Sequence, residues 1–203
     1  MSNEVTPIRK VPLAAPLTPL GAIVAVIAAG GLFGAGPAPT PFELQLPAGF
    51  ATVEAPVDGP TRVASLPPVA GTTEGEILLQ ATEIEGEGAL FVARVPAPLR
   101  ISEDLRERVA LRAPEAFRAL WGVDYRLVSV QPVEMAGREC LEIQGRIEGD
   151  RGTRTVLTVF VPSEDAHFVV SGAVPSGPGE EAALAHLRAA FATFRAPPPR
   201  RRG

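Results

Sequence analysis

The side chains in this sequence best able to move a proton or attack an electrophile are few: two histidines, His167 and His186, and a single cysteine, Cys140. An activated thiol or hydroxyl needs a base within hydrogen-bond reach. His167 opens the run His167-Phe168-Val169-Val170 and can serve Cys140 only if their two segments approach; its plainer reading is an ordinary strand residue. Cys140 shares an alternation with Glu142 and Gln144, which leaves it either half-exposed or packed beneath another element. His186 lies beside Leu187 on what reads as the closing helix. The strained serine turn G-x-S-x-G is absent, so a hydrolase using His167 is a remote third reading.

Two acidic groupings invite a metal reading. Glu164, Asp165 and His167 share one tight turn, and Glu83, Glu85 and Glu87 surround another. Zinc needs three or four converging ligands and calcium six or more oxygens, so each set is incomplete, and acidic turn tips are what solvation alone selects. Gly86 and Gly88 have neither the following helix nor the lysine that a phosphate cradle requires. The residues therefore nominate no catalytic, cofactor-binding or metal-ligating site, and no cofactor.

Charge narrows the partners. Five of the 19 basic residues (Arg9, Lys10, Arg200, Arg201, Arg202) and one of the 23 acidic residues (Glu4) lie outside 41–195, which leaves a charge of −8 on that stretch. Nucleic acid demands phosphate-neutralising surface, so an acidic body argues against it. With one cysteine there is no internal disulfide, and stability must come from packing.

The strongest compartment signal is Leu20 to Gly36, LGAIVAVIAAGGLFGAG, set in an interval without charge from Lys10 to Glu43. A charge at the bilayer centre costs roughly 2.5–3.5 kcal/mol, so such an interval suits a membrane segment. Arg9 and Lys10 precede it and Glu43 is the first charge beyond, which places the N-terminus in the cytoplasm and the remainder outside. The segment reads as an uncleaved single-pass anchor in a bacterial inner membrane with a periplasmic domain, the alternative being a signal h-region and a secreted product. Residues 1–19 form a short cytoplasmic tail, 20–36 the anchor or h-region, 37–41 a Pro-rich linker, 42–195 the domain and 196–203 a Pro/Arg tail.

Within the domain, Phe42-Glu43-Leu44-Gln45-Leu46 alternates as a half-buried strand does, and residues 50–57 suit a second. From Pro56 to Gly75 the chain is irregular, with at most a short strand at Thr61–Ser65. Ile77–Ile84 and Ala89–Val95 form a hairpin around Glu85-Gly86-Glu87-Gly88. A helix follows over Ser102–Trp121, N-capped by Ser102, with Pro114 expected to kink or split it. Four strands, Tyr125–Glu134, Arg138–Glu148, Thr153–Val161 and His167–Ala173, are joined by short turns and predict an antiparallel meander. A closing helix over Glu180–Arg195 carries the stripe Leu184, Leu187, Phe191 and Phe194. The fold class is α+β: an antiparallel sheet with helices packed on it.

This order resembles the PsbP-like fold, shared by photosystem II extrinsic subunits, a yeast nuclear-import factor and DcrB-type bacterial envelope proteins. The resemblance rests on the opening Phe42-Glu43-Leu44-Gln45-Leu46-Pro47-Ala48-Gly49-Phe50, the midchain helix, the meander after Gly137-Arg138-Glu139 and the close at Phe191-Ala192-Thr193-Phe194. It spans nearly the whole domain and brings no catalytic residue with it. It implies a binding or assembly module with a protein partner and no catalysis. The irregular 56–75 loop with the sheet edge beside it is the expected contact surface, because loops on rigid scaffolds commonly carry recognition; the alternative is a small-ligand or lipid carrier with a pocket between helix and sheet.

Overall fold

The computed structural model describes residues 42–53, 62–64, 74–121, 124–149 and 152–196. In chain order these form β1 (Phe50–Thr52), β2 (Arg62–Ala64), β3 (Glu74–Glu83), β4 (Ala89–Val95), α1 (Glu103–Trp121), β5 (Tyr125–Met135), β6 (Arg138–Gly149), β7 (Gly152–Pro162), β8 (His167–Pro175) and α2 (Glu180–Ala192). All strands belong to one antiparallel sheet in the order β1-β3-β4-β8-β7-β6-β5, with β2 beside β1 on the outer side of β3. The expected meander is thus present as β5 to β8, and its last strand returns to the centre to pair with β4.

Alternation along β6 shows how one sheet supports two cores. Leu141, Ile143 and Ile147 join Leu105, Val109 and Ala113 of α1 on one face. Cys140 joins Leu184, Leu187 and Phe191 of α2 on the other. The central strands β7 and β8 are buried on both sides, as their unbroken apolar runs predict. Ser102 caps α1, its Oγ accepting from the Leu105 N–H at 3.2 Å. Pro114 does not split the helix, which is continuous from Glu103 to Trp121.

Helix α2 is fastened at its first turn. The Glu180 carboxylate accepts from Thr155 Oγ1 (2.6 Å), the Gly177 N–H (3.1 Å) and Arg146 Nη2 (3.3 Å). These bonds, that from Thr155 foremost, hold the carboxyl below its usual range. Midway along, Arg188 donates to both oxygens of the buried Glu142, at 3.2 and 2.9 Å.

Two boundaries differ from expectation. The closing helix ends at Ala192, not Arg195, because the Thr193 hydroxyl donates to the Ala190 carbonyl (2.7 Å) and the next residue turns inward. Phe194 then packs against Phe168 and Phe42, with ring centroids 5.4 and 5.8 Å away. The segment Phe42–Leu46 alternates as expected, with Phe42, Leu44 and Leu46 on the α2-side core, but it does not join the sheet. Its partner is the chain beyond α2: Glu43 and Arg195 exchange backbone bonds of 3.2 and 2.9 Å, and Thr193 Oγ1 accepts from the Gln45 N–H. A two-residue alternation fixes which side chains turn inward but says nothing about what lies alongside.

The tail 1–19, the expected anchor 20–36, the linker 37–41 and residues 197–203 lie outside the described residues, as does most of the 56–75 loop. Among the described residues no helix is long and apolar enough to cross a membrane.

Candidate functional site

The groups on which catalysis could rest are separated by the sheet. Cys140 is fully buried on the α2 side, its Sγ 3.5 Å from the Arg138 carbonyl, and burial pushes the thiol up to about 11. His167 is 1% exposed and sits in register with Val95, on the α1 side. Strand β7 lies between their two strands, so the approach that a base and thiol would need does not occur. His167 instead bonds the Ala97 carbonyl through Nδ1 at 2.7 Å, and burial lowers its pKa below the ordinary value. A neutral ring with the proton on Nδ1 satisfies that bond, tying the start of β8 to the segment entering α1. His186 is exposed on α2.

Neither acidic turn converges. Glu164 and Asp165 are exposed while His167 is buried, and Asp165 meets Arg94 at 3.2 Å. Around the β3–β4 turn, Glu83 Oε2 accepts from the Gly88 N–H at 3.0 Å and Glu87 is taken by Arg154. Among the described residues no three His, Cys, Asp or Glu side chains are grouped to hold a metal ion.

What the fold offers instead is its margins, and the two are built differently. At the β5 margin, Ala136 and Gly137 connect β5 to β6 with φ of 52° and 72°, the left-handed pair of a type I′ turn. Counting back from the closing pair Met135↔Arg138, Pro132 falls on the outward-facing set, so its missing N–H removes a donor from the open edge and not from the ladder. A bulge between Leu127 and Ser129 twists the same edge further along, leaving Val128 exposed. Both features blunt an edge against added strands. A shallow depression of about 360 Å³ lies here, lined by Pro132, Val133, Glu134, Gly137 and Glu139. It sits at the hairpin end and not between a helix and the sheet, where a carrier's pocket was expected.

The opposite margin is reinforced. β1 pairs with the Ala81–Glu83 end of β3 and β2 with its Glu74–Glu76 end, so β3 is covered on its outer side at both ends. Next to β1 the β3–β4 turn, Ile84–Gly88, is held by contacts from far along the chain. Arg154, buried on β7, donates through Nη1 to the Glu87 carbonyl (2.5 Å) and through Nη2 to its carboxylate (2.6 Å). The Ile84 N–H donates to the Gly49 carbonyl at 2.8 Å and the Glu83 N–H to that of Gly88 at 2.9 Å. Ile84 itself is 70% exposed. Sequence reasoning missed this clamp, although it left a trace: Arg154 is in phase with Val156 and Phe160, and a charge at a core-facing position signals a distant partner.

An antiparallel sheet between two helices, with a late strand returned to its centre, makes this an α+β sandwich, and its fold is PsbP-like. The solution structure of cyanobacterial PsbP (CyanoP) from Synechocystis sp. PCC 6803 is similar to this chain, with a TM-score of 0.53 at 12% identity over 83% of this chain and 98% of that one. LpqN, involved in cell envelope biogenesis of Mycobacterium tuberculosis, aligns with a TM-score of 0.44 at 14% identity, covering 79% of this chain and 86% of that one. No family model and no curated protein matches the sequence.

Proposed function

We propose that this chain is a membrane-anchored extracytoplasmic protein whose domain binds or assembles other proteins and performs no catalysis. The observation that carries the reading is the use made of its reactive groups. His167 and Cys140 are absorbed into opposite cores, one bonded to a main-chain carbonyl and the other held protonated by burial. Support for a recognition role comes from the β1/β2 margin, where two short strands pair with β3 at the sheet's edge, the usual setting of a binding surface. The uncharged interval before Glu43 supports the anchor, and the acidic domain supports a partner other than nucleic acid.

Crosslinking in intact cells, followed by fractionation and identification of neighbours, tests compartment and partner together. The full-length chain is expected in the membrane fraction after a high-salt wash, joined to a specific envelope protein. Recovery of the full-length chain from the cytosol would overturn the anchor, and crosslinks to no protein would overturn the binding role.

A further inference from the structure

We propose that the β3–β4 turn is the recognition element of this domain, with Ile84 as the anchor of a contact made to a protein partner that presents an apolar pocket rimmed by basic side chains. The inference rests on the protein-binding reading above and names the surface and the chemistry it fits.

A single exposed aliphatic residue is ordinary on a protein surface. Ile84 differs because the turn that carries it is fixed at three points: its own N–H bonds the Gly49 carbonyl just before β1, the neighbouring Glu83 N–H bonds the Gly88 carbonyl across the turn, and Arg154 reaches over from β7 to Glu87. The Arg154 side chain is only 10% exposed, whereas the Glu87 side chain is 43% exposed. Removing a guanidinium from water is costly, and a solvated turn could close without it. Its effect is to give the tip one shape, which lowers the entropy lost when a partner orders it. Val53, 42% exposed, lies on the same margin, its N–H donating to Gln80. Along the β1–β3 pair that is roughly 13 Å from Ile84, within one partner's footprint.

Charge decides the kind of partner. Glu83, Glu85 and Glu87 surround Ile84; Arg154, buried behind the turn, pairs with Glu87, so Glu83 and Glu85 give the tip its negative charge. A cationic rim complements this arrangement, while an anionic lipid surface or nucleic acid is repelled by it. Among the described residues the other exposed aliphatic side chains away from this margin lack that setting: Leu111 lies on α1 amid mixed charge, with Glu107, Arg108 and Glu115 one turn away, and Val128 sits at the β5 bulge.

The test places a photocrosslinking amino acid at position 84, 53, 111 or 128 of the full-length chain in its host cells, with adducts identified by mass spectrometry. The proposal expects one and the same protein joined from 84 and 53 and little from 111 or 128. Glu85→Lys should lower the yield from 84 by roughly fivefold while thermal unfolding stays unchanged. Adducts from 111 or 128 but none from 84 would overturn this surface and leave the binding role standing. Protein adducts from no position would overturn both. A yield from 84 indifferent to Glu85→Lys, or adducts only to lipid, would overturn the basic-rimmed partner.

Discussion

The β3–β4 and β5–β6 hairpins close in contrasting ways. The first has a five-residue turn held by Arg154, 67 residues away, and by Gly49 beyond β1. The second has a two-residue turn whose own backbone matches the twist of its strands, and it uses Ala136 at a φ of 52° where glycine or asparagine is the usual choice. A turn with the right local geometry closes without outside help. The other needs tertiary contacts, and those contacts fix the shape of an exposed tip that local chemistry would leave variable.

The largest expected effect comes from cutting the long-range clamp. Arg154→Ala should lower unfolding stability by about 1.5–3 kcal/mol through lost charge-assisted bonds, partly offset because Glu87 can return to water. Hydrogen exchange should speed at residues 84–88 and leave the β5–β6 turn unchanged; equal loosening of both would erase the distinction. On the β5–β6 side the strands depend on close packing, since a Cβ at Gly145 would overlap the Tyr125 ring. Denaturant titration of Gly145→Ala is therefore expected to show a loss of about 1–3 kcal/mol. An unchanged midpoint would mean that the ring moves aside freely.

Acid supplies a third test, acting at the end of the sheet where the β5–β6 turn lies. Because His167 binds its proton less readily when folded, both states are neutral above its unfolded pKa of about 6.5, and the stability is intact there. Below that value the unfolded chain takes up a proton that the folded one refuses. Stability should then fall by at most about 1.4 kcal/mol per pH unit until the folded pKa is reached. His167→Gln should flatten this slope between pH 6.5 and 5, and a slope identical to wild type would assign it to another group. The smallest change is a gain: Ala136→Gly relieves a left-handed alanine and should stabilise the protein by about 0.5–1 kcal/mol, read as a raised melting temperature. A loss would show that the turn is unstrained.

Much of this was legible in the sequence because it is local. The alternation of β5 and β6, the apolar runs of β7 and β8, the cap at Ser102 and the helical stripe Leu184, Leu187, Phe191 all follow from periodicity and buried position. Pairings between distant segments left weaker traces. Nothing in Phe42–Leu46 says that its neighbour is Arg195 and not β3, and nothing in Cys140 says that α2 covers it. For a contact surface the sequence suggested the 56–75 loop and the sheet edge beside it, and most of that loop lies outside the described residues. The proposed anchor, Ile84 on a clamped turn, was not legible, because it depends on an arginine that sequence order sets far away.

The pairing of β4 with β8 carries a consequence for how the molecule comes into being. The two strands join Val95 to His167 and Ala89 to Ala173, residues 72 and 84 positions apart, so a ribosome must deliver the final strand before the first four can be covered on their inner flank. Until then the early hairpin carries an open row of amide and carbonyl groups, and such non-local closure is slow. Biogenesis of this domain is therefore gated from its far end: its earliest strands depend on its latest.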